Sequence, residues 1–149
     1  MNINRNLGSI DVPQADSLDT VRKIVEAVAD GARSSGKIAE RTGYSDRHVR
    51  YRFQAACILG LLAPDHTLMR RGQRLVGTER GSTEERRLLR AAVRASAVVR
   101  IVAPDLLASA SIDKEAVAGR LVELTGLSQA TARRRAQVLR SWARQLKLE

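Results

Sequence analysis

The sequence predicts a mainly α-helical protein of two consecutive helix-turn-helix units, of winged-helix type with a very short β-hairpin wing. Three observations predict it. Apolar residues recur at three- and four-residue spacing over much of the chain, the mark of amphipathic helices. Only Trp142, Tyr44, Tyr51 and Phe53 are aromatic, so aliphatic side chains and alanine must fill the core, which helix-on-helix packing does more readily than a sheet sandwich. A glycine turn followed by a serine occurs twice, as Gly43-Tyr44-Ser45 and, 83 positions on, as Gly126-Leu127-Ser128.

Residues 1–16 carry Asn, Gly and Pro13 without apolar periodicity and are expected to form a mobile arm or a loose strand. Asp16 or Ser17 then caps a first helix whose Leu18, Val21, Ile24, Val25 and Val28 keep helical spacing, and Gly31 stops it. A short helix over residues 37–42 ends at Gly43, and Ser45 caps a longer one running to about Gly60. Leu61-Leu62-Ala63 and Thr67-Leu68-Met69 flank Pro64-Asp65-His66, the pattern of a short hairpin or wing, before a turn of helix over residues 70–76. Residues 77–81 form the best linker, so the first unit is placed at 17–77 and the second at 78–149. Ser82-Thr83-Glu84-Glu85 has the form of a capping box and opens one long helix that Pro104 ends after Val102. Its Leu88, Leu89, Ala92, Val93, Ala95, Val98, Val99 and Val102 exceed a single narrow stripe, so this helix should be the most buried of the second half. Residues 105–111 read as a small-residue loop or single turn, residues 113–124 as a helix closed by Gly126, and Ser128 caps a last helix to Lys147.

The repeat extends beyond the turn. At the same offset Thr42 meets Thr125, Glu40 meets Glu123, Arg50 meets Arg133, Arg52 meets Arg135, and Gln54 meets Gln137. Glycine permits the left-handed turn and serine caps the next helix, whereas the Arg and Gln identities have no such local cause. The two units are therefore expected to share a three-helix core. At about 100° per residue, Arg47, Arg50, Tyr51 and Gln54 share one face of the third helix, opposite Val49, Phe53 and Ala56. Ala130, Arg133, Arg134 and Gln137 are their counterparts in the second unit. The second helix of a helix-turn-helix enters the major groove of duplex DNA, where Arg matches the acceptors of guanine and Gln the edge of adenine. Arg47, Arg50, Gln54, Arg133, Arg134 and Gln137 are thus the candidate reading residues, with Tyr51 beside them. Arg52, Arg70, Arg71 and Arg135 are the candidate phosphate contacts.

Charge supports the same partner: 26 Lys and Arg against 16 Asp and Glu give a formal +10. Arg86, Arg90 and Arg94 lie at four-residue spacing, where like charges repel unless water or phosphate relieves them. Cys57 is the only cysteine, which excludes an intrachain disulfide and suits a core position in a reducing cytoplasm. No segment has the length of a membrane span, and Met1–Val12 lacks the apolar core of a signal peptide, so a cytoplasmic location is expected. His48 and His66 have no metal-ligand spacing, no glycine loop cradles a phosphate, and Asp113-Lys114 lacks the intervening residue of a nuclease motif. No cofactor, metal site or catalytic centre is therefore expected in this chain by itself.

The segment from Tyr51 to Gly72, with Ile58-Leu59-Gly60-Leu61-Leu62, Thr67-Leu68 and Gly72, together with Thr131-Ala132-Arg133-Arg134-Arg135-Ala136 and Ser141-Trp142, resembles the winged-helix modules attached to type II restriction endonucleases. The resemblance covers most of residues 37–146 and implies a DNA-recognition or DNA-holding role, with cleavage left to a separate nuclease domain. Arg70-Arg71 departs from the pattern, where a smaller residue and a proline would precede the glycine. A restriction or defence system and a transcriptional regulator both fit, with double-stranded DNA as ligand and a nuclease domain or a second copy as protein partner. The contrasting reading is a protein-interaction module that docks through its alanine-rich faces. RNA is less favoured because stacking aromatics are few.

Overall fold

The computed structural model describes residues 7–108 and 112–147. It is mainly helical, with α1 (Leu18–Ala29), α2 (Ser35–Thr42), α3 (Asp46–Ile58), α4 (Arg70–Val76), α5 (Thr83–Ala95), α6 (Ala97–Val102), α7 (Lys114–Thr125) and α8 (Gln129–Gln145). In the first half α1 packs on α2, α3 and α4. In the second, α5 meets α6, α6 meets α7, and α7 lies along α8, while α4 against α5 joins the halves.

Local chemistry sets the helix ends. The side chains of Ser17, Ser34, Ser45, Ser82, Asp113 and Ser128 each accept a backbone N–H of the first turn that has no partner within the helix. The Ser82 cap forms as expected, but the Glu85 carboxylate accepts from the Gly81 N–H at 2.8 Å rather than closing the box on Ser82.

The single helix expected over residues 82–102 is broken at Ser96, whose backbone is extended (φ −68°, ψ 145°). Its buried hydroxyl donates to the Val93 carbonyl at 2.6 Å, a local bond that competes with the helical ladder. The break also resolves the excess of apolar positions. In one continuous helix Val98 would lie about 180° from Leu89, whereas two helices bury both.

The hairpin wing is likewise not built from strands. Among the described residues the only β pairing is one antiparallel bridge, Leu62 to Leu68, with Ala63 N–H donating to Thr67 O at 2.9 Å and Met69 N–H to Leu61 O at 3.1 Å. The backbone of α3 closes just before it and α4 begins at Arg70, leaving no length for a second pair. Gly72 explains how tightly the corner closes: a Cβ there would stand 2.2 Å from the Leu61 carbonyl oxygen. At the tip, His66 adopts a left-handed backbone (φ 70°) and stacks on Phe53 with ring centroids 4.5 Å apart.

Residues 7–16 are not a loose arm. Leu7, Val12 and Ala15 are buried, a short 3-10 turn spans Ser9–Asp11, and Trp142 Nε1–H donates to the Ala15 carbonyl at 3.0 Å. Residues 1–6 of the expected arm, and 109–111 of the expected loop, lie outside the described residues. A single hydrophobic cluster runs from Leu7 to Leu146 and takes in Trp142, Ile24, Ile38, Leu59, Leu75 and Leu139. Each such aliphatic side chain contributes roughly 1.5–3 kcal/mol relative to exposure. Cys57 borders that cluster, and burial pushes its thiol up to about 11, so it stays neutral.

Residues 77–81 are pinned rather than free. Arg22, only 4% exposed, donates to the Thr78 hydroxyl at 3.1 Å and carbonyl at 2.8 Å, and pairs with Glu26 and Glu85 at 2.8 and 2.7 Å. Desolvation pulls the Arg22 pKa down, but the bonds from Glu26 and Glu85 outweigh it and hold it above its ordinary value. Arg80 pairs with Asp19 and Glu26 on the same side of α1. The sequence offered one sign of this, an Arg and a Glu four residues apart within the apolar pattern of α1.

Candidate nucleic-acid interface

Both glycine turns have the same construction. Gly43 (φ 78°, ψ 5°) and Gly126 (φ 77°, ψ 9°) end α2 and α7 in the left-handed region. Before each, a threonine hydroxyl donates back to a carbonyl one turn earlier, Thr42 to Ile38 at 2.8 Å and Thr125 to Leu121 at 2.6 Å. The same oxygens accept from Tyr44 N–H and Leu127 N–H, and Ser45 and Ser128 then cap α3 and α8. The repeat stops at these two helices. The offset carries α1 onto residues 101–112, whose described part holds the end of α6 and a turn, so a shared three-helix core is not formed at that register.

The candidate residues of α3 divide. Arg47, His48 and Arg50 are exposed, and Tyr51 is partly so. Arg47 Nε–H donates to the Tyr51 hydroxyl at 3.2 Å, and the guanidinium carbons of Arg47 and Arg50 lie 5.5 and 5.9 Å from its ring centre. The hydrogen bond from Arg47 and then its charge hold the Tyr51 phenol below its ordinary pKa. Arg52 instead lies over the Tyr44 ring, its guanidinium carbon 4.2 Å from the ring centre, with its Nη1 buried and without a hydrogen-bond partner among the described residues. Gln54 points at the N-terminal segment and donates its amide to Ile10 O at 3.0 Å and Val12 O at 3.4 Å.

On α8, Arg133 is exposed and pairs with Glu115 at 3.0 Å, while exposed Arg134 donates to the Thr131 hydroxyl at 3.2 Å. Arg135 turns inward to Ser9 O at 2.8 Å and Val12 O at 3.2 Å. Desolvation, and then the Arg134 charge, lower the Arg135 pKa. The first turn of α4 holds exposed Arg70 and half-buried Arg71, the latter donating to the Leu59 carbonyl at 2.9 Å.

These placements bring α3 and α8 to the two sides of one cleft of about 820 Å³, with Gln14 and Asp16 of the N-terminal segment also lining it. Arg47 and Tyr51 line it from α3, and Arg133, Arg134, Arg135, Gln137 and Arg144 from α8, with Lys114 at the start of α7. Six cationic side chains thus share a space lined by one carboxylate, Asp16. Arg50, Arg52, Gln54, Arg70 and Arg71 do not line it. Arg144 and Lys114 were missed from the sequence. Arg144 had a signal, since it lies eleven residues after Arg133 and so within about 20° of it around the helix. Lys114 had none.

The cleft concentrates hydrogen-bond donors and positive charge, the chemistry that receives phosphate oxygens and base edges. No group of three His, Cys, Asp or Glu among the described residues could hold a metal ion, and no helix among them is long and apolar enough to cross a membrane. No protein family, curated protein or solved structure was found to match this chain.

Proposed function

We propose that the chain binds double-stranded DNA through the cleft between α3 and α8. The observation that carries this reading is the convergence of Arg47, Lys114, Arg134 and Arg144 on one open space with a single lining carboxylate, beside Arg133, which pairs with Glu115, and Arg135, which bonds backbone carbonyls. Like charges gathered in this way repel one another, and a polyanion relieves the repulsion while releasing its own counterions. Both halves act as helix-turn-helix units, the first with its wing shortened to the Leu62–Leu68 bridge. Arg50 and Tyr51 extend the surface beyond Arg47 on α3, and Gln137 supplies an amide able to match an adenine edge. As the resemblance implies, such a unit would serve as the recognition module of a restriction or defence nuclease, or as a transcriptional regulator. The interaction-module reading loses Ala92, Ala132 and Ala136, which are buried in the core, and keeps only the exposed Ala91, Ala95, Ala97 and Ala130.

The test is a titration of unrelated duplexes at several salt concentrations. With about five phosphates neutralised, the logarithm of the binding constant should fall with the logarithm of salt at a slope of about −4.5. No binding, or binding indifferent to salt, would remove the proposal.

A further inference from the structure

We infer that the two helix-turn-helix units form one composite site: α3 and α8 grip a single nucleic-acid segment by its phosphates from two sides, and residues 9–16 fix the gap between them. This rests on the nucleic-acid reading and deepens it, because tandem units could equally have offered two separate recognition helices to two segments.

Three observations carry the inference. First, the cationic side chains of the two helices face the same cleft, Arg47 from one side and Arg134 and Arg144 from the other. Second, the two helices are riveted through one backbone atom. The Val12 carbonyl oxygen accepts from Gln54 of α3 at 3.4 Å and from Arg135 of α8 at 3.2 Å, with Ile10 O and Ser9 O taking a second bond from each side chain. Third, this bridge is itself anchored. Val12 is fully buried, Trp142 holds Ala15 O, and Gln145 accepts from the Leu18 N–H while its amide donates to Asp16 O at 2.5 Å. A spacer tied to both helices prevents them from turning independently toward two ligands. It also explains why Gln54 and Arg135, repeat-related to Gln137 and Arg52, are spent on backbone carbonyls.

The experiment uses the full chain with Arg47→Glu and Arg134→Glu, each confirmed folded by circular dichroism, titrated with a labelled duplex and separately with a single-stranded oligonucleotide. One duplex per chain is expected. Each variant should lose on the order of tenfold in affinity. Each should also lower the salt slope by about one or more, at unchanged stoichiometry. Two duplexes per chain, or a loss confined to one variant, would overturn the composite site while leaving DNA binding intact. Binding of the single strand alone, with the same dependence on both arginines, would keep the composite site and remove the duplex reading. Binding of neither oligonucleotide would overturn both.

Discussion

At the scale of single residues, the same chemical group takes different work according to what stands opposite it. Gln54 and Gln137 occupy equivalent repeat positions, yet the first is bonded to Ile10 O and Val12 O and the second lines the cleft. Their substitutions should separate accordingly. Gln54→Ala removes donors to two carbonyls of a partly buried segment and should cost about 1–2 kcal/mol in chemical denaturation. Any loss of duplex affinity should be the same for all sequences and smaller than that of Arg47→Glu, because Gln54 acts only through the gap it helps to fix. Gln137→Ala should leave the denaturation midpoint nearly unmoved and lower affinity for the preferred duplexes drawn from a random pool. Equal effects of both variants on both measurements would contradict the division. The sequence could place both glutamines on outward faces, because helical periodicity reports direction. It could not report that the N-terminal segment covers one of them, since Leu7, Val12 and Ala15 follow no helical period and their burial is a tertiary fact.

At the scale of elements, what was legible is what is local. The glycine turns, the serine caps and the ends of α1 and α3 follow from groups within four residues of each other, so the sequence marks them directly. The break at Ser96 and the loss of the wing were not legible, because each depends on what an element packs against. The corner between α3 and α4 makes the point testable. Gly72 sits in the first turn of α4, a place where alanine would ordinarily favour the helix. Here a Cβ would meet the Leu61 carbonyl oxygen at 2.2 Å and Leu68 Cδ1 at 3.0 Å, so the backbone of the corner must shift. Gly72→Ala should therefore destabilise by about 1–3 kcal/mol, against the sign of helix propensity. A thermal melt at or above the parent's would show that the corner is looser than this geometry.

At the scale of the whole molecule, the two halves are cross-tied at several places. The N-terminal segment bridges α3 and α8, and Arg22 of α1 reaches across Thr78 to Glu85 of α5. Two independent units would unfold in two steps. Ties that bury a guanidinium between the halves, with one continuous apolar cluster beneath, argue for a single cooperative step. Trp142 is a convenient reporter, being the only tryptophan, fully buried in α8 and bonded to Ala15 on the other side of the chain. Its fluorescence and the helical circular dichroism should trace the same denaturation curve. Arg22→Met should move both probes together. The substitution leaves the Thr78 carbonyl without its donor and the Glu85 carboxylate, whose side chain is 12% exposed, without its counter-charge. Removing one partner of such a buried pair costs about 3 kcal/mol even when the replacement is apolar and of similar length. If fluorescence and dichroism separated in the parent protein, the halves would be thermodynamically distinct domains, and a rigid gap between α3 and α8 would lose its physical basis.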